Sequence, residues 1–148
     1  MLRWLREMFS IPTPQPASTP DRPPPPAAMP ELLDRRVLDE IRSFGGPGHP
    51  DPLAEVMEVY FAHTPPRFAE IRDAIGTGDA EALRMAAHTL KSSSASIGAA
   101  AVARLAGRME AIGRAGTVTG AAPLLRELDV LFPQVKQALE TYCKSEPS

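Results

Sequence analysis

The chain of 148 residues has a single cysteine, few aromatic residues and no long hydrophobic run. Because Cys143 has no second cysteine as a partner, an intrachain disulfide and a multi-cysteine zinc site are excluded. No apolar stretch approaches the roughly 20 residues that span a bilayer. Residues 1–10 also lack the long apolar core and small-residue cleavage site of a secretory signal. We therefore expect a cytoplasmic protein.

Positive charge is also scarce from residue 31 onward. Of the 16 Lys and Arg residues of the chain, 13 lie here, because Arg3, Arg6 and Arg22 precede residue 31. Of the 18 Asp and Glu residues, 16 lie here, because Glu7 and Asp21 precede it. The net charge of this part is therefore −3. Binding to nucleic acid by phosphate neutralisation needs clustered excess Lys and Arg. The charge balance therefore argues against a nucleic-acid partner.

Proline divides the chain, since 9 of its 17 prolines fall between residues 11 and 30. Each proline removes an N–H donor and restricts the residue before it, so we interpret residues 11–30 as a linker that is disordered or in polyproline II conformation. Residues 1–10 have the spacing of a short amphipathic helix. Two arginines form a weak basic face, so membrane contact by this segment is not favoured. We place the folded domain at residues 31–145.

Within that domain, apolar residues recur at helical spacing and no alternating β pattern is sustained, so the predicted fold class is all-α. A short helix is predicted after Asp34, with Phe44 among its apolar residues. Four longer helices are predicted to begin at Pro52, after Asp79, near Ala99 and near Ala122. The short turns between them predict an up-down antiparallel four-helix bundle, with the short helix covering one end.

Prolines inside two of the predicted helices indicate irregularities. Pro65 and Pro66 interrupt the helix that begins at Pro52, and Pro133 lies in the last helix. Because each removes a helical hydrogen bond, we expect a kink or a split at the pair and a bend at Pro133.

Three histidines are candidates for chemistry, but none has an obvious second metal ligand at helical or short-loop spacing. A zinc site is therefore not expected. His88 differs from His49 and His63 because it stands one position beyond the inward-facing Ala87, so its ring should emerge at the surface of the bundle. A general-base enzyme is not supported, since no second catalytic group is identifiable.

The neighbours of His88 on its helix face combine small side chains with cations. They are Arg84 and Met85 on the N-terminal side and Lys91, Ser92, Ala95 and Ser96 on the C-terminal side. A flat surface of Ser and Ala lets another protein bring its active site close to the imidazole. The Lys91 ammonium lies where added phosphate charge would sit. The alternative interpretation is an ordinary, partly exposed helical histidine.

The block from His88 to Ala99 reads HTLKSSSASIGA. It resembles the signature of histidine-containing phosphotransfer (HPt) domains, and the resemblance extends more loosely over residues 33–143. It implies that His88 accepts a phosphoryl group from the aspartyl-phosphate of a response-regulator receiver domain and passes it to the Asp of another receiver. Lys91 would stabilise the phosphoryl group. Glu110 would orient the imidazole, and a solvated Glu110 is the alternative.

The resemblance also implies a phosphoryl carrier without a kinase or ATP-binding domain of its own. Receiver domains and a hybrid histidine kinase would be its partners, docking on the exposed face around His88. No cofactor, metal or small-molecule substrate is expected on this chain, because Mg²⁺ would belong to the receiver, and we expect a monomer. Two alternatives stay open: a helical adaptor that binds through residues 1–30, and a kinase inhibitor in which His88 is not phosphorylated.

Overall fold

The computed structural model describes residues 32–46, 48 and 50–144. The interpretations of residues 1–10 and 11–30 lie outside the described residues. The described part contains helices and no strand, which confirms the all-α prediction. The helices are α1 (Arg35–Ser43), α2 (Pro52–Thr77), α3 (Ala80–Ser96), α4 (Ala100–Arg114) and α5 (Ala121–Lys144).

The backbone N–H and C=O groups at the ends of a helix have no partner within it. Capping residues bond these groups and so determine where each helix begins and ends. Asp34, Asp51 and Asp79 precede α1, α2 and α3, and each accepts a hydrogen bond from a first-turn N–H at 2.9–3.1 Å. Gly78 follows α2 with φ 71°, in the left-handed region that favours glycine, and it ends that helix. The short α2–α3 connection thus reverses the chain and makes the two helices antiparallel.

The four long helices form a ring, in which each contacts the next along the chain and α5 contacts α2. This arrangement confirms the helical bundle predicted from the spacing of apolar residues. The core consists of buried side chains from one face of each helix. They include Leu53, Met57, Phe68, Ile71, Leu83, Leu90, Val102, Met109, Leu124, Leu128, Val135 and Leu139.

The short helix α1 covers one end of the bundle. The Asp34 backbone N–H donates to the Gly98 carbonyl oxygen at 2.7 Å, which fixes the start of α1 against the turn between α3 and α4. Leu38, a residue of α1, is fully buried. At the other end of α1, the Arg42 guanidinium donates to the Cys143 carbonyl oxygen at 2.6 Å. α1 therefore connects the α3–α4 turn to the end of α5.

The two prolines in α2, Pro65 and Pro66, do not split the helix, which continues through both of them. The Phe132 ring on α5 packs against Tyr60 before the prolines and against Phe68 after them, with ring centroids 6.1 Å and 5.2 Å apart. Both halves of α2 thus pack on the same neighbour. This shared packing holds the helix together where two backbone hydrogen bonds are missing.

Phe44 is exposed rather than inward-facing. α1 ends one residue earlier, so Phe44 is the C-cap residue, and its side chain is 79% exposed. Directly after it the chain turns toward α2, where Gly45 lies so close to Pro52 that a Cβ would be 2.6 Å from the ring Cδ. The backbone of this turn thus lies against α2, whereas the Phe44 ring is mostly exposed.

Gly113 allows α4 to approach α3 closely. A Cβ at this position would lie 2.7 Å from both the Ala80 carbonyl oxygen and the Arg84 backbone nitrogen. We predict that Gly113→Ala lowers the free energy of unfolding by about 2 kcal/mol, because two backbones would have to separate. Urea denaturation followed by far-UV circular dichroism measures the change.

Gly76→Ala is the matched control, since a Cβ at this helical glycine would meet nothing within 4 Å. It should raise the free energy of unfolding by about 0.5 kcal/mol. Equal stability changes in the two variants would contradict the close approach at Gly113.

Candidate functional site

His88 lies in the middle of α3, one position beyond the buried Ala87. The Asp79 cap and the buried Leu83 and Leu90 fix the start and the rotation of this helix. The His88 side chain is 57% exposed, which confirms the prediction that the ring emerges at the surface. The imidazole is therefore accessible to another protein.

One edge of the imidazole is held by Glu110 on α4. The Nδ1 atom of His88 lies 2.8 Å from Glu110 Oε2, and the Glu110 side chain is only 2% exposed. This burial excludes the alternative of a solvated Glu110. An ionised carboxylate only accepts hydrogen bonds, so Nδ1–H donates and Nε2 keeps its lone pair. The contact thus selects the tautomer in which Nε2 can act as a nucleophile.

Two cations share the Glu110 carboxylate with the imidazole. Lys91 Nζ lies 2.5 Å from Oε1, and Arg114 Nη2 lies 2.8 Å from Oε2. The hydrogen bond from Lys91 lowers the pKa of Glu110 most, the bond from His88 and the charges of Lys91 and Arg114 lower it further, and burial opposes them. The resulting pKa is about 2, so Glu110 is charged at neutral pH.

Lys91 lies one turn beyond His88 and reaches back to Glu110 across α4. Its stem passes over Gly107, where a Cβ would lie 3.3 Å from Lys91 Cδ. Lys91 is predicted from the sequence to stabilise the phosphoryl group, and in the structure its ammonium is bound to Glu110. The ammonium is therefore close to the ring but already paired.

The other residues predicted on the docking face lie where the helix pattern places them. Met85, Ser92, Ala95 and Ser96 are all exposed on α3. Arg84 is half-buried, and its guanidinium donates to both carboxylate oxygens of Glu81 at 3.0 Å and 2.6 Å. The surface beside the imidazole is thus built from small side chains and one flexible methionine.

Three residues of the site were missed by the sequence analysis: Arg114, Gly107 and Gly113. The spacing of Glu110 and Arg114, four residues apart on one helix, was a signal that could have identified the arginine. The two glycines act through contacts with α3, which no pattern within α4 reveals. Of the remaining histidines, His63 is exposed on α2, and His49 lies outside the described residues.

Among the residues that the structure describes, no group of three or more His, Cys, Asp and Glu side chains is placed to hold a metal ion. The helices in this part of the chain include no candidate for a membrane span.

Comparison with known proteins identifies the family. The family model described as Hpt domain matches residues 55–142, more than half of the chain. The chain belongs to the Hpt domain family. Hpt domain proteins are phosphocarriers that take part in histidine phosphotransfer in two-component signalling and interact with histidine kinases and response regulators.

A solved structure supports the same fold for this Hpt domain protein. It is the histidine-containing phosphotransfer protein B (HptB) from Pseudomonas aeruginosa PAO1, with a TM-score of 0.68 and 24% sequence identity. The match covers 77% of this chain and 96% of that chain. The comparison with curated proteins found no match.

The buried carboxylate of this Hpt domain predicts a loss of stability in acid. Folding lowers the pKa of Glu110 from 4.5 to about 2. The ionised carboxylate therefore contributes fully to the free energy of unfolding above pH 4.5, and this contribution is lost as the pH falls from 4.5 to about 2. We predict a loss of about 3 kcal/mol in the wild type that is absent from Glu110→Gln. Urea denaturation at a series of pH values between 2 and 7 measures it.

Glu127→Gln is the control for this experiment, because Glu127 is exposed on α5. It should keep the pH dependence of the wild type. If Glu110→Gln also keeps it, the carboxylate at position 110 is not the group that is stabilised in its ionised form.

Proposed function

We propose that this protein relays a phosphoryl group between the aspartates of response-regulator receiver domains through a phosphohistidine at His88. The observation that carries the proposal is the contact of Nδ1 with a buried, ionised carboxylate, Glu110, on an otherwise exposed ring. This contact leaves Nε2 as the nucleophilic atom and directs it away from the bundle. An adaptor or a kinase inhibitor with an unphosphorylated His88 would not need such an arrangement.

The transfer step needs little from the Hpt domain beyond position and charge. The Nε2 lone pair of His88 attacks the phosphorus of the aspartyl-phosphate. A nitrogen–phosphorus bond forms, the bond from phosphorus to the aspartyl oxygen breaks, and the electron pair leaves with the aspartate carboxylate. The imidazole keeps its Nδ1 proton and gains positive charge, which Glu110 stabilises. Transfer to the second receiver reverses these steps.

Lys91 is proposed to stabilise the phosphoryl oxygens once the group is on His88. Its ammonium lies at the Glu110 carboxylate beside the ring, and its side chain is 41% exposed, so it can rotate toward the surface. An ammonium is a compact charge on a flexible stem, which suits a contact that forms and breaks in each cycle. The Mg²⁺ needed for aspartyl-phosphate chemistry would be supplied by the receiver.

The proposed docking surface extends from α3 onto α2. Tyr60 and Ser94 share a buried hydrogen bond of 2.7 Å, which places this part of α2 beside α3. Phe61 packs against Phe132 on α5. Val59 therefore lies on the opposite side of Tyr60, toward α3, where it is 58% exposed.

Met85 lies on α3 three residues before His88, and it is also more than half exposed. Exposed apolar side chains surrounded by small polar ones are typical of protein interfaces. Because docking uses a single face, we propose that the protein acts as a monomer. We also propose that it acts in the cytoplasm, with receiver domains and a hybrid histidine kinase as its partners.

His88→Gln tests the phosphorylated residue directly. After incubation with a receiver carrying radiolabelled phosphate, the wild type should acquire acid-labile label, and His88→Gln should acquire less than about 1% of it, because no nucleophilic nitrogen remains. His63→Gln, which changes another exposed histidine, should label like the wild type. Labelling that persists in His88→Gln would contradict the proposal.

Met85→Glu tests the docking surface. A charge at this position should slow phosphotransfer from the receiver about fivefold to tenfold, since an apolar contact of the interface is lost. Val130→Glu is the control, because Val130 is also more than half exposed but lies on α5. Stopped-flow or rapid-quench rates measure both, and an equal rate in the two variants would place the docking surface elsewhere.

A further inference from the structure

The two oxygens of Glu110 have different partners. Oε1 contacts Lys91 at 2.5 Å, whereas Oε2 contacts both His88 at 2.8 Å and Arg114 at 2.8 Å. The buried carboxylate therefore has one cation on each oxygen. Only the cation on Oε2 shares its oxygen with the imidazole.

Phosphorylation of His88 would change the balance of charge around this carboxylate. A phosphoryl group carries up to about two negative charges at neutral pH, and it would compete with Glu110 for the Lys91 ammonium. A buried carboxylate that loses its cation is strongly destabilising. Lys91 can therefore move to the phosphoryl group at low cost only if another cation remains at Glu110.

Arg114 is placed to be that cation. It lies four residues after Glu110 on the same helix, so its contact with Oε2 is formed within α4 and does not bridge to α3. It is also in the last turn of α4, where the helix dipole favours positive charge. Arg84, which also faces Glu110 from α3, is occupied by its two hydrogen bonds to Glu81.

We propose that Arg114 is a positioning residue for phosphotransfer: it retains the charge and orientation of Glu110 while Lys91 moves from that carboxylate to the phosphoryl group on His88. The inference rests on the proposed function of His88. It assigns the two cations separate roles, since Arg114 remains with the carboxylate and Lys91 exchanges between the carboxylate and the phosphoryl group.

Arg114→Gln tests this division of roles, and Arg108→Gln is its matched control. Both variants remove one arginine from the exposed side of α4, but Arg108 has no contact with Glu110 among the described residues. Arg114→Gln should slow phosphotransfer from a labelled receiver about fivefold to tenfold, because Lys91 is then retained by Glu110. Arg108→Gln should transfer at the wild-type rate, and Arg114→Lys should recover most of it.

A second measurement separates this role from a merely structural one. In ¹⁵N-labelled wild type, phosphorylation should shift the Lys91 ammonium resonance, and in Arg114→Gln the shift should be reduced at least about twofold. The inference would be overturned if Arg114→Gln transferred phosphate at the rate of Arg108→Gln and its Lys91 resonance shifted as in the wild type. A slow Arg114→Gln that Arg114→Lys does not restore would also overturn it. If the wild type itself is not phosphorylated at His88, the proposed function fails instead.

Discussion

A carboxylate buried as deeply as Glu110 destabilises a fold unless ionic and hydrogen-bonding partners replace the water that it loses. Glu110 has three such partners, His88, Lys91 and Arg114, at 2.5–2.8 Å. The imidazole is thus part of what makes the burial of this charge possible. The same contact orients the ring and determines which nitrogen is free. Stability and chemistry therefore depend on one group.

The contact requires that α3 and α4 have the right separation and rotation. Gly113 permits the backbones to approach, and Gly107 gives the Lys91 stem room to cross α4. On the other side of α3, the Tyr60 hydroxyl bonds Ser94 within the core, and burial raises the pKa of Tyr60 to about 12, so this hydroxyl stays neutral. These contacts hold α3 between its two neighbours with His88 outward.

Much of this architecture could be predicted from local patterns. The caps Asp34, Asp51 and Asp79 and the spacing of apolar residues gave the helices, and the offset of His88 from Ala87 gave the exposure of the ring. Like His88, Glu110 lies one position beyond a buried residue, in this case Met109, yet the Glu110 side chain is buried. A pattern within one helix cannot distinguish the two cases, because the difference is set by how closely the neighbouring helix approaches.

Two further features depend on contacts of the same kind. The parts of α2 before and after its two prolines both pack against Phe132, which is more than 60 residues away in the sequence. The exposure of Phe44 depends on where the chain turns toward Pro52. Each is decided by a contact between elements, and the periodicity of a single helix carries no information about such contacts.

The position of phosphorus on the imidazole ring shows which nitrogen of His88 is the nucleophile. In protein that is ¹⁵N-labelled at histidine and phosphorylated by a receiver, nuclear magnetic resonance distinguishes a phosphoryl group on Nε2 from one on Nδ1. We expect phosphorus on Nε2 of His88, with a proton retained on Nδ1 by Glu110. Phosphorus on Nδ1, or on a different histidine, would contradict it.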